Sequence, residues 1–162
     1  MISAEPISMR WSADQKDDEG NTIIAYNVDL AGLYNYGIKD LVLSDSQASG
    51  FEQTQVIVEA YGENATGVAA VYCYNYAPEG YEQTKGQWYL PATGELYDVV
   101  FNNKVNINKG FAALGMNSLN SGYHWSSSEN TNTHAWNVRS SDGYADRYIK
   151  DYSFAVSCLL AI

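Results

Sequence analysis

The sequence predicts one α+β domain over residues 1–162, with helices packed on a twisted, mainly antiparallel sheet. Three observations carry that prediction. Apolar and aromatic residues recur at spacings of three and four between residues 51 and 76, the period of a helix, and alternate with polar ones after residue 135, the period of a strand. No repeat of fixed period and no linker divides the chain. With 162 residues, 46% hydrophobic and 17% charged, the chain is long enough to bury a core and too apolar to stay disordered.

Residues 1–40 read as N-terminal strands and a loop. Asp14 to Gly20 (DQKDDEG) has the composition of an exposed turn, and Thr22 to Val28 is β-branched and aromatic enough for a strand. Asp40 to Leu43 reads as a short second strand, and Ser49-Gly50 marks a boundary. Thr54, Ile57, Val58 and Tyr61 define a helix that Gly62 terminates. A second helix is predicted over Thr66 to Tyr76, where Val68, Val71, Tyr72 and Asn75 share a face and Thr66 offers an N-cap.

Trp88 to Pro91 is extended, because the residue before proline is pushed out of the helical region. Glu95 then sits where its carboxylate reaches back to free amides in the first turn of a helix. A short helix over Lys109 to Leu114 ends at Gly115. Ala135 to Arg139 and Tyr144 to Lys150 form a hairpin around Ser140-Ser141-Asp142-Gly143. Phe154 to Ile162 reads as one buried final strand with Phe154, Val156, Cys158, Leu160 and Ile162 on its apolar face.

Charge narrows the function classes. Nineteen acidic and nine basic side chains give a net charge of -10, which repels phosphate backbones and anionic lipid, so a nucleic-acid partner is not expected. No apolar run approaches the roughly 20 residues that cross a bilayer, so membrane insertion is not expected either, and Met1 to Arg10 lacks the basic-then-apolar pattern of a signal peptide. The negative charge belongs to residues 1–120. Residues 121–162 are close to neutral and hold both histidines. Cys73 and Cys158 lie among apolar neighbours, where free thiols pack as small hydrophobes, and one bridge closing a long loop is the alternative.

Candidate chemistry is thin. A serine nucleophile in Trp125-Ser126-Ser127-Ser128-Glu129, with His124 or His134 as base, lacks the strand-to-helix elbow and glycine flank that expose such a residue. The hydroxyls and carboxylate are read instead as partners for backbone donors in an irregular segment anchored by Trp125. His124, His134, Asp142 and Asp146 match no standard metal-ligand spacing, and Asp14, Asp17, Asp18 and Glu19 lack the alternating ligands and central glycine of an EF-hand. No catalytic residue, metal or other cofactor is expected.

The order of segments carries more information. Ala69-Ala70-Val71-Tyr72-Cys73-Tyr74-Asn75, Trp88-Tyr89-Leu90-Pro91 with Glu95-Leu96, Trp125 to Glu129, Ala135-Trp136 and a closing Phe154 to Leu159 together resemble a bacterial family of C-type-lectin-like domains over about residues 40–162. That family is related in fold to the formylglycine-generating, sulfatase-modifying enzymes, and its C-terminal architecture is similar to the variable proteins of diversity-generating retroelements. Ala92 stands where the pattern has a capping Thr or Ser. The copper-binding cysteine pair of the sulfatase-modifying enzymes has no counterpart, and of the sugar-lectin calcium motifs only Trp136-Asn137 is present, with Val138 in place of the aspartate.

The resemblance implies a noncatalytic binding module outside the cytoplasm, at a bacterial surface or on a phage virion. It would meet a protein or glycan ligand through a polar, aromatic surface near the C-terminus. The residues of that surface are Asn130, Asn132, His134, Asn137, Arg139, Ser141, Asp142, Tyr144, Asp146, Arg147, Tyr148, Lys150 and Tyr152. Tyrosine gives contact area at low entropic cost, while serine and asparagine adapt their hydrogen bonds. Strand alternation places Tyr144, Asp146, Tyr148 and Lys150 together, with Asn137 and Arg139 joining them from the opposite arm. The alternative is a structural or assembly subunit of a surface appendage such as a fimbria, with the tyrosines in subunit contacts.

Overall fold

A computed structural model describes residues 1–3, 6–12, 49–119, 122–130 and 133–161, together with the backbone of 15–16 and 22–23. The class is α+β. Strands β1 (Ile7–Arg10), β8 (Ser153–Val156), β5 (Tyr123–Glu129), β6 (His134–Arg139) and β7 (Ala145–Ile149) form a mixed sheet in the order β1-β8-β5-β6-β7. All neighbours are antiparallel except β5 and β8. β2 (Gln15–Lys16) pairs with β3 (Thr22–Ile23), and β4 (Trp88–Tyr89) pairs with β9 (Leu159–Leu160). Gln15-Lys16 is therefore strand where a loop was expected; most of the expected Thr22 to Val28 strand and all of Asp40 to Leu43 lie outside the described residues.

Helix α1 (Gly50–Tyr61) forms as the spacing predicts. The Ser49 hydroxyl accepts from the Glu52 N–H at 3.1 Å, and the Gly62 N–H closes the other end on the Val58 carbonyl at 2.7 Å. α2 (Ala69–Asn75) starts three residues after Thr66, so Thr66 is not its N-cap. α3 (Thr93–Glu95) runs into a wider turn of helix over Leu96–Phe101, and α4 (Lys104–Ala113) extends the short helix expected at 109–114 toward its N-terminus.

Glu95 joins two of these elements. Its Oε2 accepts from the Ala92 N–H at 2.9 Å and from the Gly50 N–H at 3.1 Å, so one carboxylate serves the first turns of α3 and α1. Burial raises its pKa, and the two amide hydrogen bonds oppose that rise. Only glycine fits at position 50, since a Cβ there would overlap the Ala92 nitrogen and the Glu95 carboxylate.

The sheet carries apolar clusters on both faces. Trp125 and Ala135 join Trp11, Ile57, Val58, the α2 face, Trp88, Leu90 and Val156. Val138 and its neighbour Ala145 join Leu96, Val100, Phe111 and Leu119. A strand buried on both faces loses the polar-out alternation of a half-exposed one.

Two sequence expectations about strands fail. The final strand is broken: β8 belongs to the large sheet and β9 to the small one, and between them the Cys158 N–H donates to the Ser3 hydroxyl while its carbonyl accepts from the Ser3 N–H. The Trp125 to Glu129 segment is a strand, not irregular, although a bulge between Trp125 and Glu129 shifts its register against β6. The serines there do satisfy other groups: Ser126 Oγ reaches the Trp136 carbonyl and the Thr93 hydroxyl, and Ser128 Oγ accepts from the Thr93 N–H. Cys73 and Cys158 form a disulfide with Cα atoms 5.3 Å apart, which corrects the expectation of free thiols and ties α2 to the segment between β8 and β9.

Candidate functional site

The β6–β7 hairpin carries most of the sequence-expected surface. In the ladder Asn137 faces Asp146 and Ala135 faces Tyr148, while across β5 Trp125 faces Asn137 and Tyr123 faces Arg139. The expected grouping of Asn137, Arg139, Asp146 and Tyr148 on one side is thus present. That side, however, turns toward the Trp125 cluster, so part of the set is interior.

Lys150 and Asn137 are the two clear corrections, both with 0% exposure. Lys150 follows β7 in a turn. Its Nζ pairs with Glu129 Oε1, also fully buried, and lies 4.5 Å from the centre of the Trp11 ring, while its carbonyl accepts from the N–H groups of Trp11 and Ser12. A buried ammonium needs such neighbours. Glu129, 21 positions away, is the partner that sequence alone does not reveal. Tyr148 is half-buried and packs against the Trp125 cluster.

Asp142, Tyr144 and Tyr123 form a compact group around Arg139. Its Nε donates to Asp142 Oδ1 at 2.9 Å, its Nη2 pairs with Oδ2, and its Nη1 donates to the Tyr123 hydroxyl at 3.3 Å. The guanidinium also lies over two rings, 5.6 Å from the centre of Tyr123 and 5.3 Å from that of Tyr144. The Asp142 carboxyl is pulled down to about 2, first by the Arg139 side chain and then by the Tyr144 N–H, and the Arg139 pKa is raised in return. Gly143, at φ +75°, closes the turn that sets this geometry; a Cβ there would run into the rings of Tyr97 and Phe101.

Tyr144 and Tyr152 are each 54% exposed, and Ser141, Asp142 and Arg147 are exposed too. Asp146, Asn130 and His134 are half-buried; His134 Nδ1 bonds the Thr133 hydroxyl at 2.8 Å, and the Asn130 N–H donates to the His134 carbonyl. Asn132 lies outside the described residues. Tyr123 and Phe154 belong to the group although sequence reasoning left them out. Tyr148 meets Tyr123 at 5.7 Å, Phe154 at 5.1 Å and Tyr152 at 5.6 Å between ring centres. The alternation of Tyr123 with Trp125 was the signal available.

Among the described residues no three His, Cys, Asp or Glu side chains come together as a group that could hold a metal ion. Chemically the edge offers ring faces and a neutralised Arg–Asp pair. His124, the other histidine considered as a base, is buried and bonded through Nδ1 to the Ser157 hydroxyl at 3.1 Å.

No protein-family model and no curated protein matches the chain. Among solved structures it is similar to a fimbrial protein from Bacteroides ovatus ATCC 8483, with a TM-score of 0.61 and 14% sequence identity over 99% of this chain. The match takes in 35% of that protein, so the chain spans about a third of its neighbour's length. At this identity the likeness is one of fold. Among the described residues no helix is long and apolar enough to cross a membrane.

Proposed function

We propose that the chain is a C-type-lectin-like module of a bacterial surface appendage, where it acts as a structural or assembly subunit. The observation that carries this reading is the match of nearly the whole chain to one third of a fimbrial protein. The Cys73–Cys158 bridge supports a place outside the cytoplasm, because disulfides persist in oxidising compartments. The test is immunogold labelling of cells that make the protein, followed by shearing: the label is expected on filaments and in the sheared fraction. Label confined to the cell interior would end the proposal.

A second reading, recognition of a protein or glycan ligand by the 130–152 surface, is favoured by two exposed rings, Tyr144 beside Arg139 and Tyr152 beside Tyr148 and Phe154. Replacing both tyrosines by alanine separates the two. Ligand capture is lost and assembly kept if the surface recognises a ligand; assembly is lost if it makes subunit contacts.

A further inference from the structure

We propose that copies of this chain join head to tail, the Leu114 end of α4 in one copy seating in an apolar cavity beside β4 and β9 of the next. The inference rests on the appendage reading above and names one of its subunit contacts.

The cavity is lined by Met1, Pro78, Tyr81, Thr84, Trp88 and Leu160 and has a volume of about 270 Å³. Its threonine hydroxyl is already committed. Thr84 Oγ1 donates to the Tyr81 carbonyl at 2.7 Å and accepts from the Trp88 indole N–H at 2.9 Å. What remains is mostly ring and aliphatic surface, which suits an uncharged apolar group. An apolar cavity of about 150 Å³ holds benzene, so this one has room for a leucine side chain and the residue beside it.

The end of α4 supplies such a group. Residues 112–115 (Ala-Ala-Leu-Gly) are all exposed, and Leu114 is 75% exposed. Phe111, one turn back, is buried with Leu96 and Val100, so the opposite side of the helix is the one anchored to the core. Four exposed apolar residues in succession are kept on a surface for a partner.

Charge selects a second copy as that partner. α4 carries two lysines and no acid, an exception in a chain of net charge -10. Lys104 donates to the Ser140 carbonyl at 3.0 Å, whereas Lys109 is exposed on the turn before the apolar run. On the cavity side two exposed glutamates, Glu79 and Glu82, directly follow the lining residues Pro78 and Tyr81. An acidic rim around an apolar hole therefore meets an apolar knob with a cation behind it. Knob and hole belong to different elements, so every copy presents both. A contact between unlike surfaces continues into a row, the geometry a filament needs.

The test is sedimentation velocity of the full chain from about 10 μM to about 1 mM, where the mass should rise past that of a dimer. Leu114→Asp and Tyr81→Asp, both at exposed positions, should keep the melting temperature and need at least about tenfold more protein to reach the same mass. Ala113→Cys and Gln83→Cys combined in one chain should give a ladder of joined copies with a short bis-maleimide, and neither substitution alone should give one. The inference is overturned by a monomer throughout, by association unchanged in Leu114→Asp, or by cross-links that stop at the dimer. Chain found on sheared filaments but failing these measurements overturns this contact and leaves the appendage reading standing; a full ladder from a chain confined to the cell interior does the converse.

Discussion

Lys150 keeps its charge in the interior through Glu129 and the Trp11 ring, and Asn137 keeps an amide there with nothing to bond. Opposite consequences of mutation follow. Lys150→Met leaves the Glu129 carboxylate buried without its cation and should cost about 3–5 kcal/mol in urea unfolding, much of it recovered in the Lys150→Met, Glu129→Leu double variant. Asn137→Leu removes an unsatisfied polar group of similar size, so stability should hold or rise by about 1 kcal/mol. Asp142 gives the pH dependence. Its folded pKa, about 2, lies below its ordinary value of 3.8, so the Arg139 pair contributes stability that is present above about 4 and is lost as pH falls toward 2. An NMR titration of the carboxyl should show this, and Arg139→Ala should return it toward 3.8.

At the scale of elements, Glu95 and the disulfide fix how the helices meet the strands. Glu95→Leu strips acceptors from the amides of Gly50 and Ala92 at once and should cost about 2–3 kcal/mol, whereas Glu95→Gln keeps an acceptor and should cost less. Because burial raises the Glu95 pKa, the wild-type chain loses some stability as pH rises through the folded value, a slope absent from Glu95→Gln. Cys73 and Cys158, 85 positions apart, close a loop whose cross-link is worth about 4.5 kcal/mol by chain entropy, so the double serine variant should unfold at markedly lower urea.

How legible these elements were depended on whether the signal was local. The α1 period with its Ser49 and Gly62 ends, the reach of Glu95, and the 135–150 hairpin are all set within a few residues. The break between Val156 and Leu159 is not, because β9 leaves the large sheet to pair with Trp88-Tyr89, about 70 positions earlier. The side that Asn137 and Lys150 face was equally hidden. Alternation groups residues correctly but does not say which face is covered, and here both are. Lys150 looked like surface because its partner, Glu129, lies on another strand.

Over the whole molecule, one polar stretch of sequence divides into an interior part that holds the fold and an edge, Arg139, Asp142, Tyr144 and Tyr152, that is open to another molecule. The retroelement form of the recognition reading would add a near-copy of the codons for 123–162 beside a reverse transcriptase gene, differing at adenines. On this structure, tolerated variation belongs at the exposed edge and not at 150. The most direct measurement is the amount of Tyr144→Ala, Tyr152→Ala chain recovered in sheared surface filaments, alongside its melting temperature. With the melting temperature unchanged, a loss of at least about tenfold in incorporation is expected for an appendage subunit whose edge makes the contact; full incorporation with an unchanged melting temperature would contradict it.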